Sequence, residues 1–352
     1  MRKMQDSMHA HLVLEDGTTF GGRSVGSPGT AAGEICFTTA MAGYEEAVTD
    51  PSYAGQVLVF SYPLVGNYGI DPGRRESSRA QTRGVVMRRV RPAWAAWLAD
   101  EGVPALDDVD TRALVRRIRT EGAMRCALGA AEPDELQRLA LSEPPLAGQT
   151  LAAEAGTPVP FVFGSGPRVV VLDLGCKRSI LRRLAASGLE AYVVPADTPA
   201  DEILALDPAA VLVSNGPGDP AAAVDQVEAV GELLGRVRLF GICLGHQVVA
   251  LALGMRTFKL PFGHRGANHP VRERGSSRVL VTTQNHGYAV EASDAVEVSH
   301  LSLNDATVEG LEGEDVTTLQ FHPEAAPGPL DALPFFDRLA AACRSAPTFA
   351  AS

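Results

Sequence analysis

The segment Arg238-Leu-Phe-Gly-Ile-Cys243-Leu-Gly-His-Gln247 joins an apolar run to a helical pattern at a single cysteine. Glycines stand two residues before and two residues after Cys243, so the chain can turn sharply there. A cysteine on such a strand-to-helix turn lies at a helix N-terminus, whose dipole stabilises the thiolate. The backbone N–H that follows can point at an oxyanion. We therefore predict that Cys243 is a nucleophile and not a small buried apolar residue.

Short apolar strands and helices alternate on both sides of this segment. Strands are predicted over 168–173, 190–195, 210–214 and 238–242, and helices over 179–187, 200–206, 225–234 and 245–253. Strands with near-continuous apolar sequence are typical of a parallel sheet covered on both faces. We therefore expect an α/β fold with a doubly wound, mostly parallel sheet, which binds ligands at the carboxyl ends of its strands.

The first half of the chain is predicted to be a β-rich α+β domain. Apolar runs predict strands over 10–14, 34–39 and 56–61, and the segment 106–121 predicts a helix with an arginine-rich face. The stretch 143–167 is rich in proline and glycine and nearly uncharged, which is typical of a linker. The expected organisation is a first domain over 1–150, a linker over 151–166 and a second domain over 167–352.

Composition narrows the classes of function. Of the 352 residues, 31 are Lys or Arg and 42 are Asp or Glu; the net charge of −11 disfavours a nucleic-acid-binding protein. No stretch has the length and apolar character of a signal peptide or membrane span. The five cysteines are widely spaced and include no Cys-x-x-Cys pair, which indicates a reduced, cytoplasmic protein.

A cysteine nucleophile needs a base, and the sequence offers six candidates. These are His246, His264, His269, His286, His300 and His322. His322 is the strongest candidate, because it follows an apolar run at the end of a predicted strand. Glu324 is near enough to accept a hydrogen bond from its imidazole. The alternative to a cysteine nucleophile is a zinc site built from Cys243, His246 and further histidines. We predict no metal, because no paired-cysteine or His-Glu-x-x-His motif accompanies them.

A glycine- and proline-rich loop, 214–220, follows the strand predicted over 210–214. Gly216 and Gly218 would let the backbone approach a ligand closely. The loop lacks the lysine and the spacing of a phosphate-binding loop.

At these motifs the chain resembles the class I glutamine amidotransferases. The segments 241–247, 214–220 and 321–324 match that family in order. More specifically, the chain resembles the small, glutamine-hydrolysing subunits of carbamoyl phosphate synthetase. Segments 43–53, 62–69, 110–114, 262–270 and 284–289 carry that second resemblance, which extends from about residue 10 to residue 340.

The resemblance implies a role for each matching residue. Cys243 would attack the side-chain amide of glutamine and form a glutamyl thioester, His322 would move the proton to the departing ammonia, and Glu324 would orient His322. Leu244 and a glycine of the 216–218 loop would supply the oxyanion-hole N–H groups. The residues implied in binding L-glutamine are Ser52, Gly216, Gly218, Leu244, Gln247, Asn285, Gly287 and Tyr288.

The resemblance also implies a partner. A large subunit, bound in a heterodimer or a higher oligomer, would receive ammonia through a tunnel and make carbamoyl phosphate from bicarbonate and two ATP, for arginine and pyrimidine synthesis. ATP and magnesium would act there, so no cofactor is expected in this chain. Two alternatives are the amidotransferase subunit of another synthase and a catalytically silent scaffold. The first-domain motifs disfavour the former, and the complete Cys–His–Glu set disfavours the latter.

Overall fold

A computed structural model describes residues 9–294 and 296–345 of the chain. The chain divides into two compact units between Leu146 and Ala147. Within the described ranges, no helix has both the length and the apolar character needed to cross a membrane.

The first unit is a closed β-barrel with four helices in its described part. The strands follow each other around the barrel in the order β1-β2-β6-β5-β4-β3-β7. They are β1 (His9–Leu14), β2 (Thr19–Gly26), β3 (Thr30–Thr38), β4 (Gln56–Phe60), β5 (Gly84–Val86), β6 (Pro104–Asp107) and β7 (Arg125–Gly129). The helices are α1 (Tyr44–Thr49), α2 (Pro92–Asp100), α3 (Thr111–Glu121) and α4 (Pro133–Ser142).

One helix of this unit is shorter than the sequence predicts. The helix expected over 106–121 begins only at Thr111, where the Asp110 side chain accepts a hydrogen bond from the N–H of Ala113. Residues 104–107 form β6 instead, and the Asp107 carboxylate pairs with Arg23 on the neighbouring β2. The apolar residues that predicted one helix over 106–121 therefore belong to two elements, the end of β6 and the helix α3.

The second unit is built on a sheet of ten strands. Their order is β14-β13-β15-β16-β17-β12-β11-β9-β10-β8. The strands are β8 (Phe161–Gly164), β9 (Arg168–Asp173), β10 (Glu190–Pro195), β11 (Ala210–Val213), β12 (Leu239–Ile242), β13 (Thr257–Glu273), β14 (Val279–Val290), β15 (Glu297–Ser302), β16 (Val308–Glu312) and β17 (Val316–Leu319). The helices are α5 (Ala152–Ala155), α6 (Arg178–Ala186), α7 (Ala200–Ala205), α8 (Val224–Leu233), α9 (Leu244–Ala252) and α10 (Pro334–Arg344).

Only the centre of this sheet is parallel. The strands β10, β9, β11, β12 and β17 run parallel to one another, whereas β8 and β13 to β16 pair antiparallel. The expectation of a mostly parallel sheet is therefore wrong for its flanks. Alternate residues of β9 enter two cores: Val171 packs with Leu184 of α6, and Val170 packs in the core that contains Val248 of α9. Helices thus cover both faces of the parallel centre.

Part of the segment predicted as a linker forms a strand of the sheet. Within 151–166 lie α5 and β8, and β8 pairs antiparallel with β10. The carboxylate of Asp173 also accepts a hydrogen bond from the N–H of Thr157 at 2.8 Å. The prolines that indicated a linker, Pro158 and Pro160, precede the strand and do not interrupt its hydrogen bonds.

The barrel core suggests a first test. The Trp94 side chain is fully buried and meets the rings of Tyr44 and Phe60 edge-to-face. Trp94→Ala should lower the free energy of unfolding of this unit by about 3–5 kcal/mol, because it leaves a cavity. Urea unfolding followed by circular dichroism measures the loss. The matched variant Trp97→Ala removes a half-buried ring of the same helix and should lose clearly less; equal losses would contradict this packing account.

Candidate active site

The turn at Cys243 has a strained backbone. Cys243 lies between β12 and α9 with φ 55° and ψ −105°, a conformation that costs a non-glycine residue about 1–3 kcal/mol. A Cβ at Gly245 would overlap the carbonyl oxygen of Val213, and a Cβ at Gly241 would lie 2.8 Å from the backbone of Gly245. The predicted strand-to-helix turn is therefore confirmed, with the thiol at the first turn of α9.

His322 and Glu324 follow β17, the strand that pairs with β12. The Nδ1 atom of His322 lies 2.7 Å from Oε1 of Glu324, and both side chains are fully buried. Burial would lower the pKa of His322, but the Glu324 carboxylate and the Cys243 thiol raise that pKa to about 10. These two neighbours therefore favour the protonated form of His322, which can serve as a proton donor beside the Cys243 sulfur.

Lys177 completes this group, and the sequence analysis missed it. Its Nζ atom donates to Oε1 of Glu324 at 2.7 Å and to the carbonyl oxygen of Ala326 at 2.8 Å. Burial alone would raise the pKa of Glu324, but Lys177 first and His322 second hold it well below its usual range. One signal was available: Lys177 is one of three lysines in the chain and follows the carboxyl end of β9.

The loop 214–220 lies beside the first turn of α9. A Cβ at Gly216 would overlap the carbonyl oxygen of Leu174 and come within 3.0 Å of the Leu244 side chain. Gly218 has φ +99°, a left-handed conformation that favours glycine. The side chain of Asn215 accepts a hydrogen bond from the N–H of Lys177 at 3.1 Å and so ties the loop to the segment that carries this lysine.

Strand β14 supplies a further wall. The Cys243 thiol lies 3.5 Å from the carbonyl oxygen of Asn285, and the amide of Gln247 donates to the carbonyl oxygen of Tyr288 at 2.9 Å. Gly287 lies between Asn285 and Tyr288 on the same strand. The structure therefore brings Cys243, His322 and Glu324 together with five of the implied glutamine-binding residues of this unit, which are Gly216, Leu244, Gln247, Asn285 and Tyr288. Gly218 lies on the same loop as Gly216, and Gly287 lies on β14 with Asn285 and Tyr288.

Ser52 lies in the other unit. It is the middle residue of a single 3-10 turn, Pro51–Tyr53, and its backbone N–H donates to Oδ1 of Asp50 at 2.9 Å. Its implied contact with glutamine remains a prediction.

Of the other candidate histidines, His246 and His300 are separate, whereas His264, His269 and His286 lie close together. His246 is fully buried with Nδ1 2.8 Å from the Thr318 hydroxyl, and burial lowers its pKa to about 3, so its imidazole is neutral. His300 packs against Phe321. The rings of His264, His269 and His286 lie near each other on β13 and β14, and polar atoms of His264, His286 and Glu309 approach within 4.8 Å. The predicted rival set of Cys243 and His246 does not form such a group among the described residues.

Two family models match the chain. The model described as glutamine amidotransferase class-I matches residues 170–342, and the model described as carbamoyl-phosphate synthase small chain, CPSase domain, matches residues 12–128. The first range contains the Cys243 turn, the 214–220 loop and the His322–Glu324 pair. The second lies within the barrel unit.

Relatives match over nearly their whole length. The carbamoyl phosphate synthase small chain of Methanopyrus kandleri is 46% identical over 359 residues, which cover 96% of this chain and 99% of the relative. The carbamoyl phosphate synthase small chain of Symbiobacterium thermophilum is 48% identical over 351 residues, which cover 93% of this chain and 97% of the relative. The pyrimidine-specific small chain of Lactiplantibacillus plantarum is 43% identical over 350 residues, covering 94% of each.

The buried ion pair gives a test of the site geometry. Lys177→Met should lower the free energy of unfolding by about 3–5 kcal/mol at pH 7, because it leaves the Glu324 carboxylate buried without its cation. Adding Glu324→Gln should recover most of the loss. Urea unfolding measures both, and Arg236→Ala, which breaks an exposed ion pair, should cost no more than about 0.5 kcal/mol.

The same test has a pH signature. The lowered pKa of Glu324 stabilises the folded chain above the usual pKa of 4.5, and this contribution is lost as the pH falls towards the folded-state pKa. Lys177→Met removes the largest cause of that lowering. The difference in stability between wild type and variant should therefore shrink below pH 4.5, and a constant difference would contradict the assignment.

Proposed function

The chain belongs to the carbamoyl phosphate synthase small-chain family and is a glutamine amidotransferase, and we propose that Cys243 hydrolyses L-glutamine to supply ammonia for carbamoyl phosphate synthesis. One observation carries the proposal. The strained cysteine at the N-terminus of α9 interacts with His322, whose imidazole is held by Glu324 at 2.7 Å. A carboxamide is a poor electrophile, and this arrangement provides an activated nucleophile and a proton donor.

Acylation begins when the Cys243 sulfur, as a thiolate paired with protonated His322, attacks the side-chain carbonyl carbon of glutamine. A C–S bond forms, and the negative charge on the carbonyl oxygen faces the N–H of Leu244 and an N–H of the 216–218 loop. His322 then gives its proton to the amide nitrogen. The C–N bond breaks, ammonia leaves, and a glutamyl thioester remains on Cys243.

Deacylation uses the same groups in reverse. The neutral His322 takes a proton from water, and the hydroxide attacks the thioester carbonyl in the same oxyanion site. The C–S bond breaks, glutamate leaves and its carboxyl proton passes to solvent, and the Cys243 thiolate is again paired with protonated His322. Glu324 keeps Nδ1 of His322 protonated throughout, and Lys177 keeps Glu324 ionised.

The released ammonia must reach a second active site. In bulk water at pH 7 it would become ammonium and cease to be a nucleophile. We therefore propose direct transfer through a tunnel to a large synthetase subunit, which binds ATP and makes carbamoyl phosphate from bicarbonate for arginine and pyrimidine synthesis. The small-chain names of the relatives support such a partner, and the match over residues 12–128 disfavours a different synthase.

Replacement of the nucleophile tests the proposal in the assembled complex with the large subunit. Cys243→Ser should lower glutamine-dependent carbamoyl phosphate synthesis by at least about a thousandfold, because the hydroxyl is not activated as a thiolate is. Ammonia-dependent synthesis should remain, since it bypasses the cysteine. The control Cys176→Ala should keep both activities. Unimpaired use of glutamine by Cys243→Ser would refute the mechanism.

A further inference from the structure

The side chain of Gln247 is held by two hydrogen bonds beside the proposed glutamine site. Gln247 is buried in the first turn of α9, close to Cys243. Its Nε2 atom donates to the carbonyl oxygen of Tyr288 at 2.9 Å and to Oε1 of Gln320 at 2.9 Å. Gln320 is fully buried and lies between the end of β17 and His322. The amide of Gln247 is therefore fixed from β14 on one side and from the end of β17 on the other.

The backbone carbonyl of Tyr288 decides how both amides are turned. A carbonyl oxygen can only accept, so the Gln247 atom beside it must be the nitrogen. An NH₂ group has two hydrogens and no lone pair to offer, so the Gln320 atom beside it must be the amide oxygen. Reversing Gln247 would place two acceptors together, and reversing Gln320 would place two donors together. The orientation of both side chains therefore follows from their partners.

This pattern leaves Gln247 with one polar atom for a ligand. Both hydrogens of its NH₂ group are used, and its Oε1 atom receives no hydrogen bond from the described residues. An amide oxygen can only accept, and glutamine carries N–H donors at its α-ammonium group and at its side-chain amide. Gln247 would therefore contact an N–H group of the substrate, and not its carboxylate.

Packing and stability do not account for an amide at position 320. The Nε2 atom of Gln320 is buried and donates to none of the described residues, and an unpaired buried donor costs about 1–3 kcal/mol. The backbone is held separately: the N–H of Gln320 donates to the carbonyl oxygen of Glu309 at 2.9 Å, and the N–H of Cys243 donates to that of Leu319 at 2.8 Å. The hydrogen bonds that hold this strand end thus do not involve the Gln320 side chain.

We propose that Gln320 is a positioning residue that turns the Gln247 amide so that only its oxygen faces the glutamine. Gln320 accepts the second N–H of Gln247, which would otherwise be free to face the donors of the substrate. Gln320 touches no reacting atom and acts through Gln247. The inference rests on the proposed function, because it takes Gln247 to bind glutamine at that site.

A double-mutant cycle in the assembled complex tests the inference. Gln320→Met keeps the length of the side chain and removes the acceptor, so the KM for glutamine should rise about five- to tenfold while kcat at saturating glutamine stays within about threefold. In a Gln247→Ala background, Gln320→Met should raise KM by no more than about twofold further, because the group that it positions is gone. An equal rise in both backgrounds would overturn the inference.

Two single variants separate positioning from packing. Gln320→Glu restores an oxygen acceptor at the same place, and its KM should stay within about threefold of wild type. Val316→Ala shortens a buried side chain of β17 and should melt at a lower temperature with an unchanged KM. A wild-type KM in Gln320→Met, or an equal rise in Gln320→Glu, would overturn the inference. If the proposed function itself were wrong, the wild-type complex would lack glutamine-dependent synthesis altogether.

Nuclear magnetic resonance tests the contact in the full chain and needs no activity. The side-chain NH₂ signal of Gln247, assigned by its loss in Gln247→Ala, should exchange slowly with solvent deuterium, because both hydrogens are bonded and buried. Fast exchange of that signal would overturn the inference. This measurement also decides the matter if Gln320→Met does not assemble with the large subunit.

Discussion

The turn at Cys243 can exist only because the residues two positions before and after it lack a side chain. Any Cβ at Gly245 would occupy the space of the Val213 carbonyl oxygen, and Gly241 packs directly on the backbone of Gly245. This close packing brings α9 down onto the ends of β11 and β12. The strain at Cys243 accompanies this packing, and the thiol lies at the N-terminus of α9.

The site also requires buried side chains that stay charged although water does not reach them. Lys177, Glu324 and His322 form a line of alternating charge, in which Lys177 and His322 lower the pKa of Glu324 and Glu324 raises the pKa of His322. A buried carboxylate alone would take up a proton and lose its hold on the imidazole. Lys177 prevents this, so the proton stays on His322 and faces the thiol.

The sequence predicts the parallel centre well, because strands such as β9 and β10 are unbroken apolar runs bounded by turn residues. It does not predict the antiparallel flank. The 17 residues of β13 include Lys259, His264 and Arg265 and contain irregular register shifts, so no alternation is visible. The turn, His322 and Glu324 could be located from local spacing. The rarity of lysine could single out Lys177, but not its partner, because Lys177 lies 147 residues before Glu324 and only the fold brings them together.

We propose that a single cysteine carries the acyl group of glutamine during turnover. The test is to mix isotope-labelled L-glutamine with the assembled complex, quench with acid within the first turnovers and map the modified peptides by mass spectrometry. We expect a glutamyl adduct on the peptide that contains Cys243, and its absence after treatment with hydroxylamine, which cleaves thioesters. An adduct on Cys36, Cys126, Cys176 or Cys343, or glutamate formed with no adduct at any time, would contradict it.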